Sequence, residues 1–290
     1  MNKQRGFTLI ELMIASLIGL IVMGGLMNLF ITTNRSVALS DALSQNQETG
    51  RFAMDYLTKF IRQAGYTEDF TVQGSPIIFA PFGRPGSPDE VTCTSTTEAS
   101  ACSTNNPNDA FGDRLGIPFD VSPGQQVRSC TGTVIQGSLV DQYYVNVFWV
   151  SNTTANMREL RCRVYDKGNN NWLRSESGAI LDAVTIINNV ESFEFQVGLS
   201  ATTDLKYVNR YVSVDTMRAD NQLTHVRSIR IALLTTSVDA TNSNKIQTTK
   251  KERVYSLLDA PYITRNDGNL RNIFTNTIEL TNAIERAGND

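Results

Sequence analysis

The chain predicts an α+β fold in which one long N-terminal α-helix packs on a mostly antiparallel β-sheet. Three patterns predict it. An uncharged, mostly apolar run fills residues 12–34, a helical stripe of apolar residues follows at 53–64, and beyond residue 140 the pattern turns to period two.

The helix comes first in the chain. From Phe7 to Ile31 it would span about 37 Å at ~1.5 Å per residue, enough to cross a bilayer with some tilt. It then continues, because Ala53, Leu57, Phe60, Ile61 and Ala64 fall on one helical face. Gly65 is the expected C-terminal stop, with Tyr66 after it. Residues 7–31 would thus form a transmembrane segment, and residues 32–66 an amphipathic continuation into an external domain. Gly19, Gly24, Gly25 and Gly50 are weak points in the helix, each costing about 1 kcal/mol relative to Ala, and there is no proline in it.

Residues 67–290 would form the β-rich domain. Residues 74–108 read as loop, with Pro76, Pro81, Pro85, Pro88 and Pro107 among Gly, Ser, Thr and Asn. Strands follow. Tyr144, Asn146, Phe148 and Val150 alternate with Tyr143, Val145, Val147 and Trp149. Leu160, Cys162 and Val164 alternate with Arg161, Arg163 and Tyr165. Phe193, Phe195, Val197 and Leu199 repeat the pattern, as do Ile229, Ile231 and Leu233 against Ser228, Arg230 and Ala232. Each is expected to bury one face. The Asn169–171 run and Asp267-Gly268 are turn signals, and residues 254–258 and 273–280 are the expected last strands.

The formal charge of −3 over 290 residues comes without a basic stripe, so direct nucleic-acid binding is not expected. The four cysteines, Cys93, Cys102, Cys130 and Cys162, all follow the apolar segment. An even count in a translocated domain points to disulfides in an oxidising compartment. Three connectivities are possible, and Cys93–Cys102 with Cys130–Cys162 is the favoured one. The first pair would close a short loop, contributing roughly 2.5–3 kcal/mol through loop entropy. Zinc is the competing reading, but no C-x-x-C pair exists and His225 is the sole histidine. No metal site or cofactor is expected.

No catalytic site is expected either. His225 has no local nucleophile or orienting carboxylate. Asp89-Glu90 and Glu191/Glu194 read as solvated carboxylate neighbours, and Asp166-Lys167-Gly168-Asn169 as a hairpin turn rather than a calcium loop. No glycine-rich phosphate loop follows a strand. Tyr143, Tyr144, Phe148 and Trp149 read as sheet core, with a docking patch for a neighbouring subunit as the minority reading.

The most informative segment is the first eleven residues, Met1-Asn2-Lys3-Gln4-Arg5-Gly6-Phe7-Thr8-Leu9-Ile10-Glu11. A secretory signal peptide would end its shorter apolar core at a small-residue cleavage site, which is lacking here. A plain signal anchor fits the length, with Lys3 and Arg5 holding the start in the cytoplasm. Neither explains Glu11, since a carboxylate at bilayer depth costs about 2.5–3.5 kcal/mol on insertion scales.

The run Arg5-Gly6-Phe7-Thr8-Leu9-Ile10-Glu11 resembles the type III leader motif of type IV prepilins, in which a basic residue precedes Gly, then an aromatic, with Glu four places later. The resemblance implies a leader of residues 1–6, cut between Gly6 and Phe7 by a prepilin peptidase that also methylates the new Phe7 amine. Loss of Lys3 and Arg5 then takes the formal charge from −3 to −5. It also implies that Glu11 pairs with the N-terminal amine of a neighbouring subunit. A subunit added at the wrong height would leave both charges buried and alone, so the pair acts as an assembly register.

Three later segments resemble the PilW family of minor pilins. They are Gly50-Arg51-Phe52-Ala53-Met54-Asp55-Tyr56-Leu57 running on to Tyr66, Val226-Arg227-Ser228-Ile229-Arg230-Ile231-Ala232-Leu233-Leu234, and Phe274-Thr275-Asn276-Thr277-Ile278-Glu279-Leu280. In the last, the family's usual following Arg-Asn is Thr281-Asn282 here. The resemblance implies a structural, non-enzymatic subunit that helps prime a type IV pilus at or near its tip, supporting twitching motility and adhesion. The implied partners are other minor pilins, the major pilin, a tip adhesin, the prepilin peptidase and the inner-membrane assembly platform. The protein would sit as a single-pass inner-membrane protein with a periplasmic domain before assembly, then in the surface fibre. A minor pseudopilin of type II secretion is the alternative. A membrane-anchored periplasmic binding protein or enzyme, with an uncut leader and a dispensable Glu11, is the alternative of a different class.

Overall fold

A computed structural model describes residues 8–64, 103–105, 111–140, 142–154, 157–175, 177–201, 207–237, 252–267 and 269–283. The Gly6/Phe7 junction, Gly65, Tyr66, Cys93, Cys102 and most of the 74–108 loop lie outside these residues.

Helix α1 runs Leu9–Ile61 without a break. At ~1.5 Å per residue its 53 residues extend about 80 Å. Thr8 precedes it in extended backbone, and Arg62 to Ala64 close it with a turn. The glycines do not interrupt it, because i→i−4 hydrogen bonding survives isolated residues that each cost only ~1 kcal/mol.

The β-rich part is built from two main sheets. In the first, β1 (Leu115–Val121), β4 (Gln142–Thr154), β5 (Met157–Asp166) and β6 (Asn171–Trp172) lie side by side, and β7 (Val184–Asn188) also pairs with β5. In the second, β13 (Arg271–Glu279), β10 (Val226–Thr236), β8 (Val190–Leu199) and β9 (Arg210–Val212) lie in that order. Every pairing between these strands is antiparallel. Two small hairpins complete the set, β2 (Gln126–Arg128) with β3 (Val134–Gln136), and β11 (Arg253–Tyr255) with β12 (Ile263–Arg265). A short helix, α2 (Val214–Ala219), starts at Ser213, whose hydroxyl accepts from the Thr216 N–H.

The upper half of α1 and the inner faces of both sheets share one core. Ala53, Leu57, Phe60, Ile61 and Ala64 bury together, as their spacing predicts. They meet Phe148, Leu160 and Cys162 from the first sheet and Phe193, Phe195, Ile229, Ile231, Leu233 and Ile278 from the second. The Phe60 and Phe148 rings lie 5.7 Å apart and tilted. Leu57 and Ile61 are fully buried, each contributing about 1.5–3 kcal/mol by leaving water.

Several strands depart from the one-face expectation. Val145, Val147, Tyr165 and Trp172 form a second core on the opposite face of the first sheet. The Tyr165 and Trp172 rings meet edge-on at 5.5 Å, and Arg163 lies over Trp172. Ala232 and Leu234 are covered by Leu257, Tyr255 and Ile263 of the β11–β12 region. Period two marks strands correctly here, but which faces are covered depends on segments distant in sequence. Asn170 takes the left-handed turn position between β5 and β6 with φ 50°, as the Asn run suggests. The strand expected at 254–258 is shorter. It ends at Tyr255, and Leu258 has φ 44°.

Candidate functional site

The chemistry singled out at the start of the chain lies at the foot of α1. Glu11 is in the first helical turn, where the positive end of the helix favours a carboxylate. Its backbone N–H donates to the Thr8 carbonyl at 3.1 Å, and the Thr8 hydroxyl donates to Glu11 Oε2 at 3.4 Å. Among the described residues Glu11 has no ion pair. Among the described residues this carboxylate keeps one weak local hydrogen bond.

Around it the helix presents mostly apolar side chains, with Ser16 bonded back to the Met13 carbonyl. Every residue from 9 to 37 is exposed, Leu9 and Leu20 by 79% and 74%. An exposed surface so largely apolar needs a covering medium, and α1 is long and apolar enough to cross a membrane. Burial of α1 begins at Ala42 and then follows Asn46, Thr49 and Gly50 upward.

Above that point the helix is seated by specific polar contacts. Asn46 Nδ2 donates to the Leu270 carbonyl at 3.4 Å, and its Oδ1 accepts from the Thr235 hydroxyl. Asn276 Nδ2 donates to the Thr58 hydroxyl at 3.3 Å. Asn282 Nδ2 donates to the Arg62 carbonyl at 3.0 Å, satisfying a backbone acceptor that the helix end leaves open. Sequence reasoning assigns these asparagines no seating role, since none stands out by periodicity.

Cys130 and Cys162 are joined in a disulfide with a Cα separation of 6.2 Å. Both are buried in the main core. The Tyr56 hydroxyl of α1 donates to the Cys130 carbonyl, tying the bridge to the helix. Burial raises the Tyr56 hydroxyl pKa above its ordinary value. Burial also raises Tyr144, with a further contribution from the Asp166 charge.

Glu191 and Glu194 are not on a solvated face. Both are buried at 5% and 2% exposure. Glu191 is the hub of an ion cluster that accepts from Arg265 Nε and Arg271 Nε, with Arg158 Nη1 at 3.7 Å. Arg271 also grips Asp267. Its hydrogen bonds hold the Asp267 carboxyl below its usual range despite partial burial. Burial alone would lower the Arg271 pKa, but hydrogen bonds to Asp267 and Glu191 outweigh it and raise the guanidinium above its ordinary value. The cluster joins the ends of β5, β8, β12 and β13, which the chain order does not foretell.

His225 sits in a short 3₁₀ turn before β10, where its carbonyl accepts from the Ser200 N–H at 2.9 Å. Among the described residues no group of three or more His, Cys, Asp or Glu side chains is arranged to hold a metal.

Two family models match the chain. Residues 147–282 match the family described as Type IV Pilus-assembly protein W. Residues 1–27 match the prokaryotic N-terminal methylation motif. Among solved structures, a type IV-like pilin from Thermus thermophilus is similar at 17% identity and a TM-score of 0.35, over 63% of this chain and 83% of that one. Comparison with curated proteins gave no match.

Proposed function

We propose that this chain, a type IV pilin-like protein belonging to the PilW family of type IV pilus-assembly proteins, is a minor pilin that helps prime pilus assembly at or near the fibre tip. The observation that carries the reading is Glu11, a carboxylate in the first turn of an apolar helix whose lower half is uncovered. Before assembly the bilayer covers that helix, with the β-rich domain in the periplasm. Prepilin peptidase cuts after Gly6 and methylates Phe7. The new Phe7 amine and Glu11 then supply opposite charges one helical turn apart, and pairing between subunits offsets the cost of burying each.

The role is structural. The helix enters the fibre core, Glu11 sets its height, and the β-rich domain presents surfaces to the other minor pilins, the major pilin and a tip adhesin. Twitching motility and adhesion follow from the pili so primed.

Intact mass and N-terminal sequencing of the protein from sheared surface fibres test this directly. The expected chain begins at N-methyl-Phe7. A chain beginning at Met1 and confined to the inner membrane would overturn the reading in favour of an anchored periplasmic protein.

A further inference from the structure

A register set at the foot of a helix reaches the head only if the head is fixed on that helix. Glu11 and Gly50 lie 39 residues apart, about 58 Å at ~1.5 Å per residue. At Gly50 the Phe274 ring of β13 packs so closely that a methyl group on the glycine would overlap its ring carbons. Phe274 pairs across the strand with Leu233, on the face turned to the main core. One turn lower, Asn46 is 2% exposed and makes hydrogen bonds to Thr235 and to the Leu270 carbonyl.

These two residues admit one height. Sliding α1 by one turn, about 5.4 Å, would bring Asn46 or Met54 under the Phe274 ring, where a methyl group already overlaps. The same slide would put Ala42 or Gly50 in place of Asn46, and neither has a side chain that can meet Thr235 and Leu270. A three-residue slide offers Ala53 or Gln47 to the ring, again with a Cβ. Asn46 is also costly where it stands, since a buried amide needs its partners. Buried polar groups of this kind are best attested as register devices.

We propose that Gly50 and Asn46 are positioning residues that lock the head at one height and azimuth above Glu11, so that the register set at the foot of the helix is passed to the head's contacts with neighbouring subunits. The proposal rests on the pilin reading above.

The test compares wild type, Gly50→Ala, Gly50→Ala with Phe274→Leu, and Asn46→Leu, each as the full chain in cells. The readouts are cleavage at Phe7, formation of the Cys130–Cys162 bond, and abundance in sheared fibres. Gly50→Ala is expected to be cleaved and oxidised yet depleted from fibres, and the smaller side chain of Phe274→Leu to restore it. Asn46→Leu is expected to fold and be cleaved, and likewise to be depleted. It decides the matter if Gly50→Ala does not fold. Wild-type abundance of Gly50→Ala or Asn46→Leu in fibres overturns the lock alone. So does a folded double variant that stays depleted. Absence of the wild-type chain from fibres overturns the pilin reading, and the lock with it.

Discussion

Arg271 holds Asp267 in a two-pronged ion pair, its Nη1 and Nη2 lying 2.6 and 2.7 Å from the carboxylate oxygens, and turns its Nε to Glu191. The Arg271 side chain is 3% exposed, so it depends on these partners. Glu191→Ala would leave it and the half-buried Arg158 and Arg265 facing one another. Breaking a buried pair costs about 3–5 kcal/mol. The lower end is expected here, because Arg158 and Arg265 retain access to water. Urea unfolding of the full chain in detergent, followed by tryptophan fluorescence, measures the loss.

Asp267 makes the stability of this corner depend on pH. Its carboxyl is lowered in the folded state, chiefly by the Arg271 hydrogen bond. The folded state therefore binds this proton less readily than the unfolded one. The contribution is complete above the ordinary carboxylate range near pH 4 and is lost as pH falls through the lower folded value. Asp267→Asn is expected to flatten the acid limb of a plot of melting temperature against pH. An unchanged acid limb would mean that other carboxylates carry it.

Cysteine substitution separates the disulfide from the rest of the core. The Cys130–Cys162 bridge closes a 32-residue separation, for which loop entropy contributes roughly 3.5–4 kcal/mol. Cys130→Ser is expected to lose about that much, measured by thermal unfolding. Because both sulfurs are buried, the native protein should resist reductant until it unfolds. Rapid mass-detected reduction at low temperature would contradict this.

At the other end of the molecule, Glu11→Leu should insert more readily, by less than the about 2.5–3.5 kcal/mol that a charge at the helix centre costs, because Glu11 lies in the first turn. It should be cleaved normally but fail to accumulate in fibres. Wild-type abundance in fibres would remove the register role from this carboxylate.

Much of this architecture is legible along the chain. The long helix needs only local spacing, because hydrogen bonding and an apolar stripe are properties of near neighbours. The strands at 144–150, 160–165, 193–199 and 229–233 show themselves by alternation for the same reason. Glu191 reads wrongly as solvated, and the contacts of Asn46, Asn276 and Asn282 are not foretold, because what each does depends on residues far away. Glu191 meets Arg265 and Arg271, which lie 74 and 80 residues on. Asn46 meets Thr235 across 189.

By itself, then, the sequence determined the helix, the leader pattern with Glu11, and the strand-rich nature of the remainder. All of these rest on short-range periodicity or on a fixed local spacing. Only the tertiary structure decided which sheet faces are covered, that the carboxylate at 191 is an internal ion hub, and that Gly50 lies beneath the Phe274 ring. Burial and pairing are relations between segments brought together by packing, and no local pattern encodes them.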